Sequence, residues 1–281
     1  MIQIVTDSTS DILQSEAKEL DITVLPLTVR FGNEEFQDGV TITMDEFFAR
    51  METVTELPQT SQVTPETFAK VFQSAIDNGD EVVCVTISSV LSGTYQSATI
   101  AKDMVSKPEM IHVIDSMSAS MGEALVVFEA IKLRAQGLEA AHIAVKLDDL
   151  KDRVRLVGKV RDLKYLVMGG RLNGVVGKIG TTLNLVPMLR LKEGSLHQAG
   201  ICHGKAKVNK WFIEQLRGSN IDHQHPMIFA GTHCPDEVKA LRDVVYASDL
   251  VLPEKNMMRA MGSGIGTHAG PGLLAIGWIE Q

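Results

Sequence analysis

Two hydrophobic rhythms alternate along the first half of this chain. Short continuous apolar runs, of the kind a strand shows when both its faces are covered, stand at Met1 to Thr6, at Val82-Val83-Cys84-Val85 and at Met110 to Ile114. Between them apolar residues recur at helical spacing: Ile12, Leu13, Ala17 and Leu20; Phe47, Phe48 and Met51; Tyr95, Ala98, Ile100 and Ala101. Thr43-Met44-Asp45-Glu46 fits a capping box, Thr64 and Pro65 open a further helix as N-cap and first helical residue, and Asn78-Gly79 closes it. Ile22 to Phe31 reads as extended, and Gly32-Asn33 turns it into Glu35-Phe36 as a hairpin. A long helix starts in Ser118-Ala119-Ser120-Met121-Gly122 and runs through Gln136, and Glu139 to Val154 reads as one more. Strand and helix in repeated alternation predict a parallel sheet with helices on both faces, a Rossmann-like α/β domain over residues 1–155.

The second half has a different pattern. Pro187 to Lys192, a Glu193-Gly194 turn and Leu196 to His203 predict a hairpin. A helix over Lys205 to Arg217, a strand over Pro226 to Gly231, a helix over Asp236 to Tyr246 and a final apolar strand over Gly270 to Ile279 complete it. Hairpins mixed with helices predict a smaller α+β domain over residues 156–281, with a mixed or antiparallel sheet, packed on the first and holding a ligand between the two.

Composition narrows the field by exclusion. A chain of 281 residues with 44% apolar content fits roughly two well-buried domains. The net charge is −8 and no Lys/Arg block occurs, which argues against nucleic acid as a partner. No apolar run approaches the ~18 residues that span a bilayer, and MIQIVTD reads as a first strand rather than a signal peptide, so a cytoplasmic protein is expected. Cys84, Cys202 and Cys234 are far apart, without metal-like spacing, and read as reduced structural thiols.

The chemistry concentrates at Glu81 to Gln96. A strand, the hydroxyl-rich loop Ser88-Ser89-Val90-Leu91-Ser92-Gly93-Thr94 and a helix start converge there, so free N–H groups and the positive end of the helix dipole make an anion site at the carboxyl edge of the sheet. The polar segment Leu57 to Val63, which supplies Thr60 and Ser61, reads as a loop able to fold over that mouth. Met261 to Gly272 places five glycines around His268, and reads as a loop allowing close backbone approach. Asp7-Ser8-Thr9-Ser10-Asp11 reads first as helix capping, with a place for Asp7 and Ser8 at the cleft rim as the alternative. Phosphate-loop, nucleophile-elbow, zincin and dinucleotide fingerprints are missing.

Five segments in register carry a resemblance: Asp7 to Asp11; Thr60-Ser61-Gln62; Ser88-Ser89-x-Leu91-Ser92-Gly93-Thr94-Tyr95-Gln96; Leu163-x-Tyr165-Leu166-x-x-Gly169-Gly170-Arg171; and Gly266-Thr267-His268-x-Gly270-Pro271-Gly272. Over essentially its whole length the chain resembles the DegV family, the fatty-acid-binding subunits of bacterial fatty acid kinase. The resemblance implies a non-catalytic, cytoplasmic and monomeric subunit with no cofactor and no metal. Such a subunit buries a long-chain fatty acid and presents its carboxylate to a separate kinase catalytic subunit, and the acyl phosphate formed feeds phospholipid synthesis. It implies carboxylate binding by Thr60, Ser61, Ser92, Gly93 and His268, and kinase docking by Arg171. Val63 stands where many relatives carry proline.

The physics is compatible with that implication. Hydroxyls, amides and a helix start satisfy an ionised carboxylate without a buried counter-charge. A tail buried at ~0.8 kcal/mol per methylene supplies roughly 10 kcal/mol before the costs of association. Leu125, Val126, Val127 and Phe128, with Met257, Met258 and Met261, are the candidate lining. Two other readings remain open at this point: a serine hydrolase or acyltransferase using Ser92 and His268 with Asp115 or Asp7 as orienter, and a binder of a small anion or phosphosugar.

Overall fold

A computed structural model describes residues 1–54, 56–173 and 185–281. In chain order the first half runs β1 (Ile2–Asp7), α1 (Gln14–Glu19), β2 (Ile22–Leu25), β3 (Thr28–Phe31), β4 (Glu34–Gln37), α2 (Met44–Met51), β5 (Gln59–Ser61), α3 (Pro65–Asp77), β6 (Glu81–Thr86), α4 (Thr94–Asp103), β7 (Ile111–Asp115), α5 (Met121–Ala135) and α6 (Ala140–Lys151). The second half runs β8 (Val154–Lys159), α7 (Lys164–Met168), β9 (Leu172–Asn173), β10 (Leu185–Lys192), β11 (Ser195–His203), α8 (Gly204–Arg217), β12 (Met227–Gly231), α9 (Pro235–Tyr246), β13 (Asn256–Ala260), α10 (Ser263–Ala269) and β14 (Leu274–Ile279).

The expected α/β architecture is present. A parallel sheet in the order β2-β1-β6-β7 forms the first layer, and its central strands are buried on both sides, as their unbroken apolar runs require. A second, mixed sheet has the order β13-β12-β14-β8-β10-β11-β9, with β10 and β11 as the predicted hairpin. Helix α5 packs between the two layers, and Leu125, Val126 and Val127 are buried in the apolar cluster they share.

Several boundaries differ from the sequence reading. Pro26 cannot donate to a ladder, so the extended run breaks into β2 of the parallel sheet and β3 of a separate small sheet. Helix α6 ends at Lys151, and Val154 instead begins β8, which pairs with β14 and β10. Polar Leu57–Val63 is not all loop: Gln59–Ser61 joins β3 as a third antiparallel strand. The glycine-rich run is not a loop either, because Ser263–Ala269 is helical. Tertiary partners supply what local propensity lacks in both cases.

Candidate functional site

Pairing of β5 with β3 aligns Thr60 with Val29 and Ser61 with Thr28. Strand alternation turns Thr60 inwards and leaves Gln59 and Ser61 exposed. The Thr60 hydroxyl lies 2.7 Å from His268 Nε2, on α10. That helix tolerates its glycines because they let it sit against other elements. A Cβ on Gly266 would lie 2.8 Å from Phe48 Cζ and 2.9 Å from Phe47 Cε1. Gly270, at φ +70°, ends the helix with the Tyr165 ring packed over its Cα.

Burial, and then the nearby Arg171 guanidinium, push the His268 imidazole down to about 4, so the ring is neutral at pH 7. Its Nδ1 faces Gly169 and has no hydrogen-bond partner among the described residues. Arg171 donates from Nε to Leu91 O at 3.3 Å and from Nη1 to Gly169 O. Ser92 Oγ lies 2.9 Å from Thr94 Oγ1 in the loop that leads into α4. Gly93 is the N-cap of α4; it admits the Gln62 side chain, whose Cδ would lie 2.7 Å from a Cβ there. Gln62 Nε2 in turn donates to Ser97 Oγ at 2.7 Å.

Thr60, Ser92, His268 and Arg171 thus converge on one cavity, whereas Ser61 and Gly93 do not line it. The cavity is narrow, about 90 Å³ measured to the centres of water-sized spheres. One wall is the inner face of the mixed sheet. Register aligns Leu189, Gly158 and Ala275 across β10, β8 and β14, and the two small residues leave a trough between leucines. Ile265 and Ala269 of α10, with Leu166 of α7, form the opposite side. Met261 lines the cavity as expected. The other candidates do not: Leu125, Phe128 and Met257 border a different surface cleft, and Met258 is exposed. Their hydrophobicity marks core and surface alike, so composition alone does not distinguish a channel.

Two polar residues that the sequence reading did not single out, Thr9 and Ser120, complete the lining. Behind them lies a group of buried carboxylates. Asp7 caps the short 3-10 turn Ser8–Ser10, accepting from Thr9 N at 3.0 Å, and not helix α1, whose N-cap is Leu13; it also accepts from Ile87 N at 3.0 Å. Thr9 Oγ1 contacts both Asp7 and Glu123, and Ser120 donates to Asp11. Burial raises all three acids, Asp11 to about 7. The signal was weak because Ser, Thr and Asp beside a helix start usually do no more than cap it.

A hydrolytic triad is not assembled here. Asp115 accepts from Ser89 N and Met117 N, and Asp7 is committed to Thr9 and Ile87, so neither candidate orienter is a partner of His268. Among the described residues no cluster of His, Cys, Asp and Glu is placed to hold a metal ion. No described helix is long and apolar enough to cross a membrane.

Comparison with known proteins points the same way as this geometry. The model of a family described as "Uncharacterised protein, DegV family" matches residues 1–281. A DegV domain-containing protein of Caldanaerobacter subterraneus is 33% identical, covering 100% of this chain and 99% of its own. Among solved structures, a DegV family protein from Thermus thermophilus described as binding fatty acid is 33% identical, with a TM-score of 0.89 over 100% of this chain and 99% of that one. A stearic-acid-binding protein from Eubacterium ventriosum is 30% identical, with a TM-score of 0.84 over 100% and 98%. A fatty-acid-binding DegV from Bacillus subtilis is 26% identical, with a TM-score of 0.85 over 100% and 99%. With the motifs in register, the two-sheet fold reproduced and the family model spanning every residue, the chain belongs to the DegV family.

Proposed function

We propose that this protein binds a long-chain fatty acid, burying the acyl tail in the cavity and holding the carboxylate at Thr60, Ser92 and His268. The observation that carries the reading is the meeting of Thr60, Ser92 and His268 in one cavity whose lining is otherwise largely apolar. Fatty acid bound to relatives of the same fold supports it.

The chemistry of the mouth suits a carboxylate. A neutral His268 that donates from Nε2 to Thr60 Oγ1 leaves the Thr60 hydroxyl proton free to donate outwards. Ser92 adds a second hydroxyl, while the Arg171 guanidinium is engaged by Leu91 O and Gly169 O rather than needed by the head group. In this reading exposed Ser61 is the strand neighbour of Thr60 on β5, and Gly93 gives room beside Ser92 for the Gln62 side chain.

In the same proposal the protein performs no chemistry. It orients and desolvates the carboxylate for a separate kinase subunit, which forms the acyl phosphate used in phospholipid synthesis. Arg171, at the mouth, is the proposed contact for that kinase, with the protein acting as a cytoplasmic monomer. Native and then denaturing mass spectrometry of the purified protein is expected to show one fatty acid that departs on denaturation; a covalent adduct on Ser92, or no lipid after incubation with palmitate, overturns the reading. With ATP, palmitate and a fatty acid kinase catalytic subunit, acyl phosphate is expected only when both proteins are present. Arg171→Ala is expected to keep palmitate binding and lower that rate, and loss of binding instead would assign Arg171 to the ligand.

A further inference from the structure

Helix α10 carries His268 but has seven residues, too few to be stable on its own. Its first N–H groups need acceptors, and its local N-cap, Gly262, has no side chain to offer. Asp38, some 225 positions earlier in the chain, supplies them. Asp38 Oδ1 accepts from Ser263 N at 3.1 Å and from the Ser263 hydroxyl, while Oδ2 accepts from Gly264 N at 3.0 Å and from Ser8 Oγ at 2.8 Å. The fit leaves no space for a larger residue, since a Cβ on Gly264 would lie 2.8 Å from Asp38 Oδ2.

Asp38 is only 4% exposed and does not line the cavity, so it acts on His268 through the helix, while its bond from Ser8 Oγ ties it to Leu27 N as well. Its own backbone is tied to the small sheet, Asp38 N donating to Leu27 O at 2.9 Å directly after β4. That same sheet contains β5 and hence Thr60. Both halves of the Thr60–His268 contact are therefore referenced to one sheet: Thr60 by strand pairing, and His268 by a helix whose start Asp38 grips.

We propose that Asp38 is a positioning residue for the carboxylate end of the cavity, holding α10 so that His268 meets Thr60. The inference rests on the fatty-acid-binding reading for its consequence on ligand affinity, and on geometry alone for its consequence on the imidazole.

Asp38→Asn keeps the side-chain shape but places an amide N–H₂ where an acceptor is needed. Two measurements test it: affinity for palmitate beside affinity for methyl palmitate, which has the tail without the charged head, and the His268 ring resonances by NMR in ligand-free protein. Palmitate affinity is expected to fall roughly tenfold or more while methyl palmitate changes by less than about threefold. The His268 resonances are expected to move. Equal losses for both ligands, or unchanged affinities and resonances, overturn the proposal. Should Asp38→Asn fail to fold, Ser263→Ala removes one of the same bonds and is expected to move both readouts in the same direction by less. If the wild-type protein binds no palmitate, the fatty-acid reading falls, and the ring resonances of the variant alone decide the role of Asp38.

Discussion

Thr9 has one hydroxyl proton and stands between two carboxylates. Its Oγ1 contacts both Asp7 and Glu123, and Glu123 also accepts from Thr6 Oγ1 at 3.0 Å. If the Thr9 proton goes to Asp7, the contact with Glu123 is a hydrogen bond only if Glu123 itself carries a proton. Complete burial favours that state, raising Glu123 well above an ordinary carboxylic acid. Thr9 and Ser120 thus present neutral hydroxyls to the cavity, and burial favours the protonated forms of the three acids behind them. At the other end, the tautomer in which His268 donates from Nε2 leaves the Thr60 hydroxyl proton available to a ligand. Thr60→Ala and Ser92→Ala are each expected to weaken palmitate binding by about 1–3 kcal/mol, the worth of a hydrogen bond to a charged group, as measured by calorimetry. Ser61→Ala is expected to leave affinity nearly unchanged, because alternation along β5 points that side chain out. Residue type alone did not separate Thr60 from Ser61; the pairing of β5 does.

Helix α10 sets its own propensity against its packing. Glycine is among the poorest helix formers, and an alanine at Gly266 would gain up to about 1 kcal/mol locally. The Phe47 and Phe48 rings stand within 2.9 Å of the added Cβ, closer than any real contact, so the helix or the rings must shift. Gly266→Ala is therefore expected to destabilise the protein by about 1–3 kcal/mol despite its better propensity, with a lower urea midpoint as the readout. The same competition explains which elements were legible beforehand. The capping box at Thr43–Glu46 and the Thr64-Pro65 start of α3 are local devices, and they form as read. Strand β5 and the start of helix α10 lack a local device and exist because β3, Asp38 and the two phenylalanines hold them.

For the molecule as a whole, two buried groups give stability opposing dependences on pH. Asp11, pushed up by burial to about 7 in the folded protein from an ordinary 3.8, keeps a proton that the unfolded chain releases. Its contribution therefore falls as pH rises from about 4 to 7, and Asp7 and Glu123 act in the same sense. His268, at about 4 against 6.5, is neutral when folded while the unfolded chain takes up a proton, so its contribution is lost as pH falls from 6.5 to 4. Asp11→Asn removes one of the three acids on that side of the balance. Between pH 4 and 8 the variant is expected to gain on the wild type by an amount on the order of a few kcal/mol in urea unfolding of ligand-free protein; a constant offset between the two curves would show that Asp11 is not raised. The sequence by itself determined the α/β layering, the hairpin of β10 and β11 and the convergence of hydroxyls on a strand end, because covered strands, turns and helix starts leave their marks within a few neighbouring residues. Only the tertiary structure decided that Gly158 and Ala275 open a trough, that Thr9 and Ser120 floor it, and that Asp38 seats the helix of His268. Those outcomes depend on register between strands and on partners more than 200 residues apart, and a linear pattern of polar and apolar positions does not encode which residue meets which across a fold.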